Sequence, residues 1–109
     1  MVKPRDWSGH DGRFRETAPY MNSQESILVS KAREGDADAF GRLVQMYKAP
    51  LHAYIFSRLG DFDWAEDLAQ ETFVLAYRYL PRLREAVKLA PWLRGIADNL
   101  CSLWLRKLP

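Results

Sequence analysis

Beyond residue 22, apolar residues return every three or four positions along most of this chain. Phe40, Leu43, Val44, Tyr47, Leu51, Tyr54, Ile55 and Leu59 form the longest such series, which is one stripe on a helix of 3.6 residues per turn. Asp36 stands before it as a cap and Gly60 after it as a stop. Pro50 falls within the series; it removes an intrahelical hydrogen bond, so a kink near Gln45–Met46 is predicted. Upstream, "NSQESILVSKAREG" predicts a shorter helix, with Asn22 or Ser23 as cap, Glu25 in the first turn and Gly35 as stop. Downstream, Asp63 and Glu66 have the spacing of a capping box for a third helix, "DWAEDLAQETFVLAYRYL", which Pro81 ends. Its core stripe is predicted to be Ala65, Leu68, Ala69, Thr72, Ala76, Tyr79 and Leu80. Pro91 suits the first position of a final helix whose apolar positions are Leu93, Ile96, Ala97, Leu100 and Trp104. No segment alternates as a strand would, and no internal repeat occurs. The expected fold is all-α, a compact three- to four-helix bundle with one long kinked helix.

Residues 1–22 do not follow this pattern. They are polar and broken by Pro4, Gly9, Gly12 and Pro19, and we read them as a flexible N-terminal arm before a folded domain over 23–109. A length of 109 residues sets a prior of one domain with one modest core. Cys101 is the single cysteine, so an intramolecular disulfide is impossible; its place in an apolar helical pattern predicts a buried, inert thiol. No run approaches the ~20 apolar residues of a membrane span, and the N-terminus lacks the apolar stretch of a signal peptide. A cytoplasmic protein without membrane insertion is expected.

Hydrophobic residues make up 48% of the chain and charged residues 28%, and the net charge is only +2. The distribution changes the picture more than the total does. Residues 1–59 carry a net +2, residues 60–80 a net −4 and residues 81–109 a net +4. An acidic segment followed by a basic one predicts two surfaces with different partners. Within the acidic segment, "DLAQETFVLAYRYL" places Asp67, Gln70 and Glu71 beside Phe73, Val74 and Tyr77. With the core stripe turned inward, Asp67, Gln70, Glu71, Val74, Tyr77 and Arg78 face outward and Phe73 lies on the boundary. Apolar anchors ringed by charge suit the gripping of a basic partner helix, although a solvated face would carry acids too.

The same stretch resembles the core-binding helix of bacterial RNA polymerase sigma factors of the extracytoplasmic-function (ECF) group. That family commonly reads D-L-x-Q-E-x-F-x-x-A-(aromatic)-R-x-L at this place. Upstream, "AREGDADAFGRLVQMY" is similar to the family's R-x-G-D-x-x-A-F-x-x-L-(V)-x-x-Y, and downstream "PWLRGIADNL" is similar to W-L-x-x-I-A-x-N. The three motifs stand in family order and spacing over residues 27–107. The resemblance implies a fold of sigma region 2 type and docking on the clamp coiled coil of the polymerase β′ subunit. Asp67, Gln70, Glu71, Phe73 and Tyr77 would make that contact. Acids meeting a basic rod through charge-assisted bonds, with rings burying apolar surface, is consistent chemistry.

The resemblance also implies that the basic end melts and reads the promoter −10 element on the non-template strand. Arg84, Lys88, Trp92, Arg94, Asn99 and Arg106 are the candidate DNA-binding residues. Basic groups near rings suit single-stranded DNA, whose bases stack while Lys and Arg follow phosphates. The amide of Asn99 can both donate to and accept from a base edge. Competing structural roles are core packing for Trp92 and pairing with the helix C-terminus for Arg106. The chain departs from the family's F-R-G-x-x-x-F-x-x-W-L loop, for it has "LREAVKLAPWL", with Glu85 at the glycine position and Leu83 and Leu89 at the aromatic ones. Where the family often places Asp and Arg after the Asn, this chain has Leu103 and Arg106. Region 4, the second helical domain that reads the −35 element, is expected to be absent from this chain, which ends at "RKLP".

Nothing in the pattern suggests catalysis. His10 and His52 stand far apart without the neighbours of a metal site, and no Gly-rich phosphate loop or nucleophile motif occurs. The expected function is therefore binding without a cofactor or metal: a transcription initiation factor domain whose partners are polymerase core, promoter DNA and an anti-sigma factor. The altered loop over residues 83–91 leaves open a second reading, a sigma-like decoy or regulator that binds an anti-sigma factor and never touches DNA.

Overall fold

Two aspartates start the long helices by the same device. The Asp36 carboxylate accepts from the Ala39 N–H at 3.0 Å, and the Asp61 carboxylate accepts from the Trp64 N–H at 2.9 Å. Each satisfies one of the four backbone donors that a helix leaves unpaired at its start. In the computed structural model, which describes residues 23–84 and 89–108, four helices follow one another: α1 Ser23–Arg33, α2 Ala37–Leu59, α3 Phe62–Tyr79 and α4 Leu89–Arg106. A short 3₁₀ turn, Leu80–Arg82, follows α3. Gly35 (φ 102°) and Gly60 (φ 72°) take the left-handed conformation that lets the chain reverse after α1 and α2. The Gly60 N–H closes α2 by donating to the Phe56 carbonyl at 2.8 Å.

Helix α2 is the central element and packs against α1, α3 and α4. Its stripe Leu43, Tyr47, Leu51 and Ile55 is buried, and Leu51 and Ile55 are wholly enclosed. Burying each of those two side chains contributes about 1.5–3 kcal/mol. Helix α3 meets it with Ala65, Ala69, Thr72 and Ala76, small side chains that permit close approach of the helix axes. Leu93, Ile96, Ala97 and Cys101 of α4 complete the core, with Val29 from α1. Burial pushes the Cys101 thiol up to about 11, with Arg58 opposing and Asp98 adding to the shift, as expected for an inert cysteine.

The all-α bundle agrees with the pattern of apolar positions, but several local expectations change. The cap of α3 is Asp61, not Asp63: Asp61 has the extended backbone of a cap, whereas Asp63 lies inside the first turn, where its charge complements the helix dipole. Helix α4 begins at Leu89, so Pro91 is its third residue; its missing N–H falls among the donors a first turn leaves unpaired anyway. Helix α2 stays a single helix on both sides of Pro50, which agrees with an expected bend that does not end it. Tyr79 and Trp104 are half-buried, not enclosed, and the Trp104 ring lies 5.9 Å from that of Trp64. The arm over residues 1–22 lies outside the described residues.

Candidate functional site

The outer side of α3 is the first candidate surface. Asp67, Gln70 and Glu71 are exposed, Tyr77 is 48% exposed and Val74 56%. Asp67, Gln70, Val74 and Tyr77 follow steps of three and four residues, which aligns them in one stripe down the helix. Phe73 is half-buried against the core. The Tyr77 ring meets the edge of Phe40 on α2 at a centroid distance of 5.0 Å, so its position is held while one face stays open. Acid, amide and ring therefore share one accessible surface, as expected. Asp61 and Asp63 extend the negative charge toward the start of the helix.

The second surface is a groove of about 500 Å³ where the 3₁₀ turn and α4 meet the end of α3. Four of the sequence-predicted residues line it: Arg84, Trp92, Asn99 and Arg106. Trp92 is half-buried and also packs against the core, so the expected packing role and a place in the groove coexist. The Asn99 amide donates to the Gly95 carbonyl at 3.3 Å. That bond uses one of its two amide hydrogens; an amide side chain retains a second donor and a carbonyl acceptor. The Arg84 carbonyl accepts from Arg33 of α1 at 3.4 Å, tethering the segment that leads toward α4.

Two expected members stand apart. Lys88 lies outside the described residues. Arg94 does not join the basic surface: it is 4% exposed, and its guanidinium sits 4.5 Å from the Tyr54 ring centroid. The reason is helical register, since Ala90, Arg94, Ala97 and Cys101 step by four, three and four along the inner face of α4. A cation so enclosed gains from an aromatic face, and this spacing was available in the sequence.

The groove also contains residues that sequence reasoning missed. Arg82 places its guanidinium 5.7 Å from the Tyr79 ring, and both line the groove with Leu75, Ile96 and Ser102. Tyr79 was expected in the core because its spacing matches the buried stripe; the only hint of its partner was the three-residue step to Arg82 across Pro81. Among the described residues no three His, Cys, Asp or Glu side chains gather as a metal site would. No helix of the described residues is long and apolar enough to cross a membrane.

Comparison with known proteins places this geometry. The chain is 42% identical over 89 residues to the ECF RNA polymerase sigma factor BldN of Streptomyces coelicolor, which covers 81% of this chain and 34% of that protein. It is 35% identical to the ECF RNA polymerase sigma factor SigW of Bacillus subtilis, over 72% of this chain and 42% of the relative. It is 33% identical to the ECF RNA polymerase sigma-E factor of Escherichia coli, over 74% of this chain and 42% of the relative. The matched part thus spans less than half the length of these relatives. No solved structure gives a significant match. The family model for Sigma-70 region 2 matches residues 43–108, which include both candidate surfaces. The chain belongs to the Sigma-70 region 2 family, and within it to the ECF group of RNA polymerase sigma factors.

Proposed function

We propose that this chain is a transcription initiation factor domain that binds RNA polymerase core through α3 and engages the −10 element of promoter DNA through the groove beside α4. It acts by binding, in the cytoplasm, without a cofactor. Asp67, Gln70, Glu71, Phe73 and Tyr77 form the contact with the clamp helices of β′. Arg84, Asn99 and Arg106, with Arg82 added from the groove lining, follow phosphate and address a base of the non-template strand, and Trp92 shapes the wall. Lys88 is retained as a member of that group on sequence grounds. Arg94 acts from within, behind Tyr54, and not as a surface contact.

The observation that supports this reading is the separation of the two surfaces. An acidic stripe with open rings runs along the outside of α3, and a groove bearing Arg82, Arg84 and Arg106 lies at the end of the same helix. An acidic surface repels phosphate and attracts a basic protein helix, while the basic groove does the reverse. One small domain can thereby hold a protein and a nucleic acid at once.

A second reading rests on the loop. Leu83 and Leu89 stand where the family has aromatics; leucine has no ring on which a base could stack, and both side chains are buried, at 9% and 3% exposure. That favours a sigma-like regulator that binds an anti-sigma factor without binding DNA. A titration of the chain against polymerase core, run beside a titration of the resulting complex against −10 single strands, separates the two. Binding to both supports the initiation factor; core binding with no binding to the −10 strands supports the regulator; failure to bind core sinks the proposal.

A further inference from the structure

Phe62, the first residue of α3, is 61% exposed although it is a large aromatic. Its ring meets His52 at a centroid distance of 4.7 Å and Phe56 at 6.2 Å, both on α2, and Phe56 is itself 42% exposed. The Phe62 carbonyl lies 3.4 Å from His52 Nε2. Three rings thus form an open aromatic cluster at the α2–α3 turn, which the site described above does not use. An isolated exposed apolar residue is ordinary; rings that hold one another at the surface make a patch.

The place of this cluster matters. Tyr77 packs on Phe40 of α2 at one end of the α2–α3 pair, and Phe62 packs on His52 and Phe56 of α2 at the other. Both rings therefore border the same seam. Between them α3 rises about 22 Å at 1.5 Å per residue, about four helical turns. Glu66, Gln70 and Phe73 step along the interval at helical spacing, and Glu66 and Gln70 are exposed. Asp61, Asp63 and Glu66 lie within four residues of Phe62 in the sequence, no Lys or Arg occurs from residue 61 to residue 77, and Arg58 is turned to Asp98. In the steps of four from Phe40 to His52, α2 adds one exposed cation, Lys48.

We infer that the docking surface continues along this seam to the turn, and that Phe62, backed by Phe56 and His52, is a second apolar anchor for one helical, Lys/Arg-rich partner that also contacts Tyr77. The inference rests on the polymerase-docking reading of α3 and extends it. Charge complementarity selects the occupant. A second copy of this chain joined by a two-fold axis at the turn would set Asp61, Asp63 and Glu66 against their own like charges, whereas a basic helix neutralises them. A partner gripped at two points four turns apart must be a rod of at least that length, and it is fixed in direction as well as position.

The test measures affinity of the full chain for RNA polymerase core, with variants Phe62→Ser, Phe56→Ser, Tyr77→Ala and Glu71→Lys, and Ile27→Ser as control. Ile27 is 55% exposed on α1, away from the seam. We expect Phe62→Ser to weaken binding about tenfold or more, as loss of an interface anchor does, and Ile27→Ser to stay within about twofold. Phe56→Ser gives the same reading from the other helix, should Phe62→Ser fail to fold by circular dichroism. Phe62→Ser and Phe56→Ser both within about twofold of the parent, while Tyr77→Ala and Glu71→Lys bind weakly, would overturn this inference and leave the α3 reading standing. No effect from any variant removes both. Losses confined to Phe62 and Phe56 overturn the shared seam. Sedimentation supplies the remaining outcome: a dimer that Phe62→Ser dissolves, with core affinity unchanged, means the occupant is a second copy.

Discussion

The Tyr54 hydroxyl donates to Asp98 Oδ1 at 2.6 Å, joining the last third of α2 to α4 one residue before Asn99. Arg58 donates to the same oxygen at 2.6 Å, and Arg94 lies over the Tyr54 ring. Burial pushes the Tyr54 hydroxyl up to about 12, Asp98 adding to the shift and Arg94 opposing it, so the hydroxyl remains a donor at neutral pH. The network holds α4, and with it the groove, against α2.

Asp98→Ala removes the shared acceptor and leaves the Tyr54 hydroxyl and the Arg58 guanidinium without it. Because Arg58 reaches solvent in part, the expected cost is about 1–3 kcal/mol, not that of a fully buried charge. For a domain of this size, that lowers the thermal midpoint by roughly 4–8 °C per kcal/mol. A midpoint unchanged in thermal unfolding would mean that the network orients α4 without stabilising it.

The second buried polar pair predicts a pH dependence. Glu25 is 1% exposed and accepts from the Tyr47 hydroxyl at 2.7 Å. Burial raises its carboxyl above the ordinary value of 4.5, with the Tyr47 bond pulling it back. A raised value means the folded chain holds that proton more tightly than the unfolded chain. The stabilisation is therefore complete below the unfolded value and is lost as pH rises through the folded one. Glu25→Gln keeps an acceptor for Tyr47 and does not titrate. Its stability relative to the parent should rise from pH 4 to pH 7 in denaturant unfolding; parallel curves would contradict the assignment.

Glu71→Lys addresses the α3 surface. Glu71 is exposed, and a lysine there would face Asp67 one turn earlier, so the fold should tolerate it within about 0.5 kcal/mol. Against a basic partner the reversed charge should lower polymerase-core affinity by about a hundredfold or more, roughly 3 kcal/mol. Equal binding by parent and variant, measured by fluorescence titration, would remove Glu71 from the contact.

Asn99→Ala addresses the groove. If the amide reads a base edge, its loss should relax discrimination between −10 single strands that differ at one base, by about 1–3 kcal/mol for that position. An equal loss on every oligonucleotide would instead mark Asn99 as a contact to the backbone or a support for Gly95.

Much of the fold could be read from the chain alone, since caps, stops and stripes depend on neighbours within a few residues. Asp36, Gly35 and Gly60 act where they were expected, and Leu43, Tyr47, Leu51 and Ile55 are buried as their spacing required. The spacing of Asp63 and Glu66 matches a capping box, but the extended backbone and the side-chain bond to the Trp64 N–H belong to Asp61. The charge of Arg94 suits the basic surface, but its register on α4 puts it inside.

The sequence by itself determined the helices, the acidic stripe on α3 and the family, because each is written in residues close together along the chain. Only the tertiary structure decided that Arg82 and Tyr79 join Arg84, Asn99 and Arg106 in one groove, that Arg94 stays beneath Tyr54, and that Phe62 and Tyr77 share a seam with α2. Those relations link residues on different helices, and they arise only when burial of the apolar stripes sets how the helices turn toward one another.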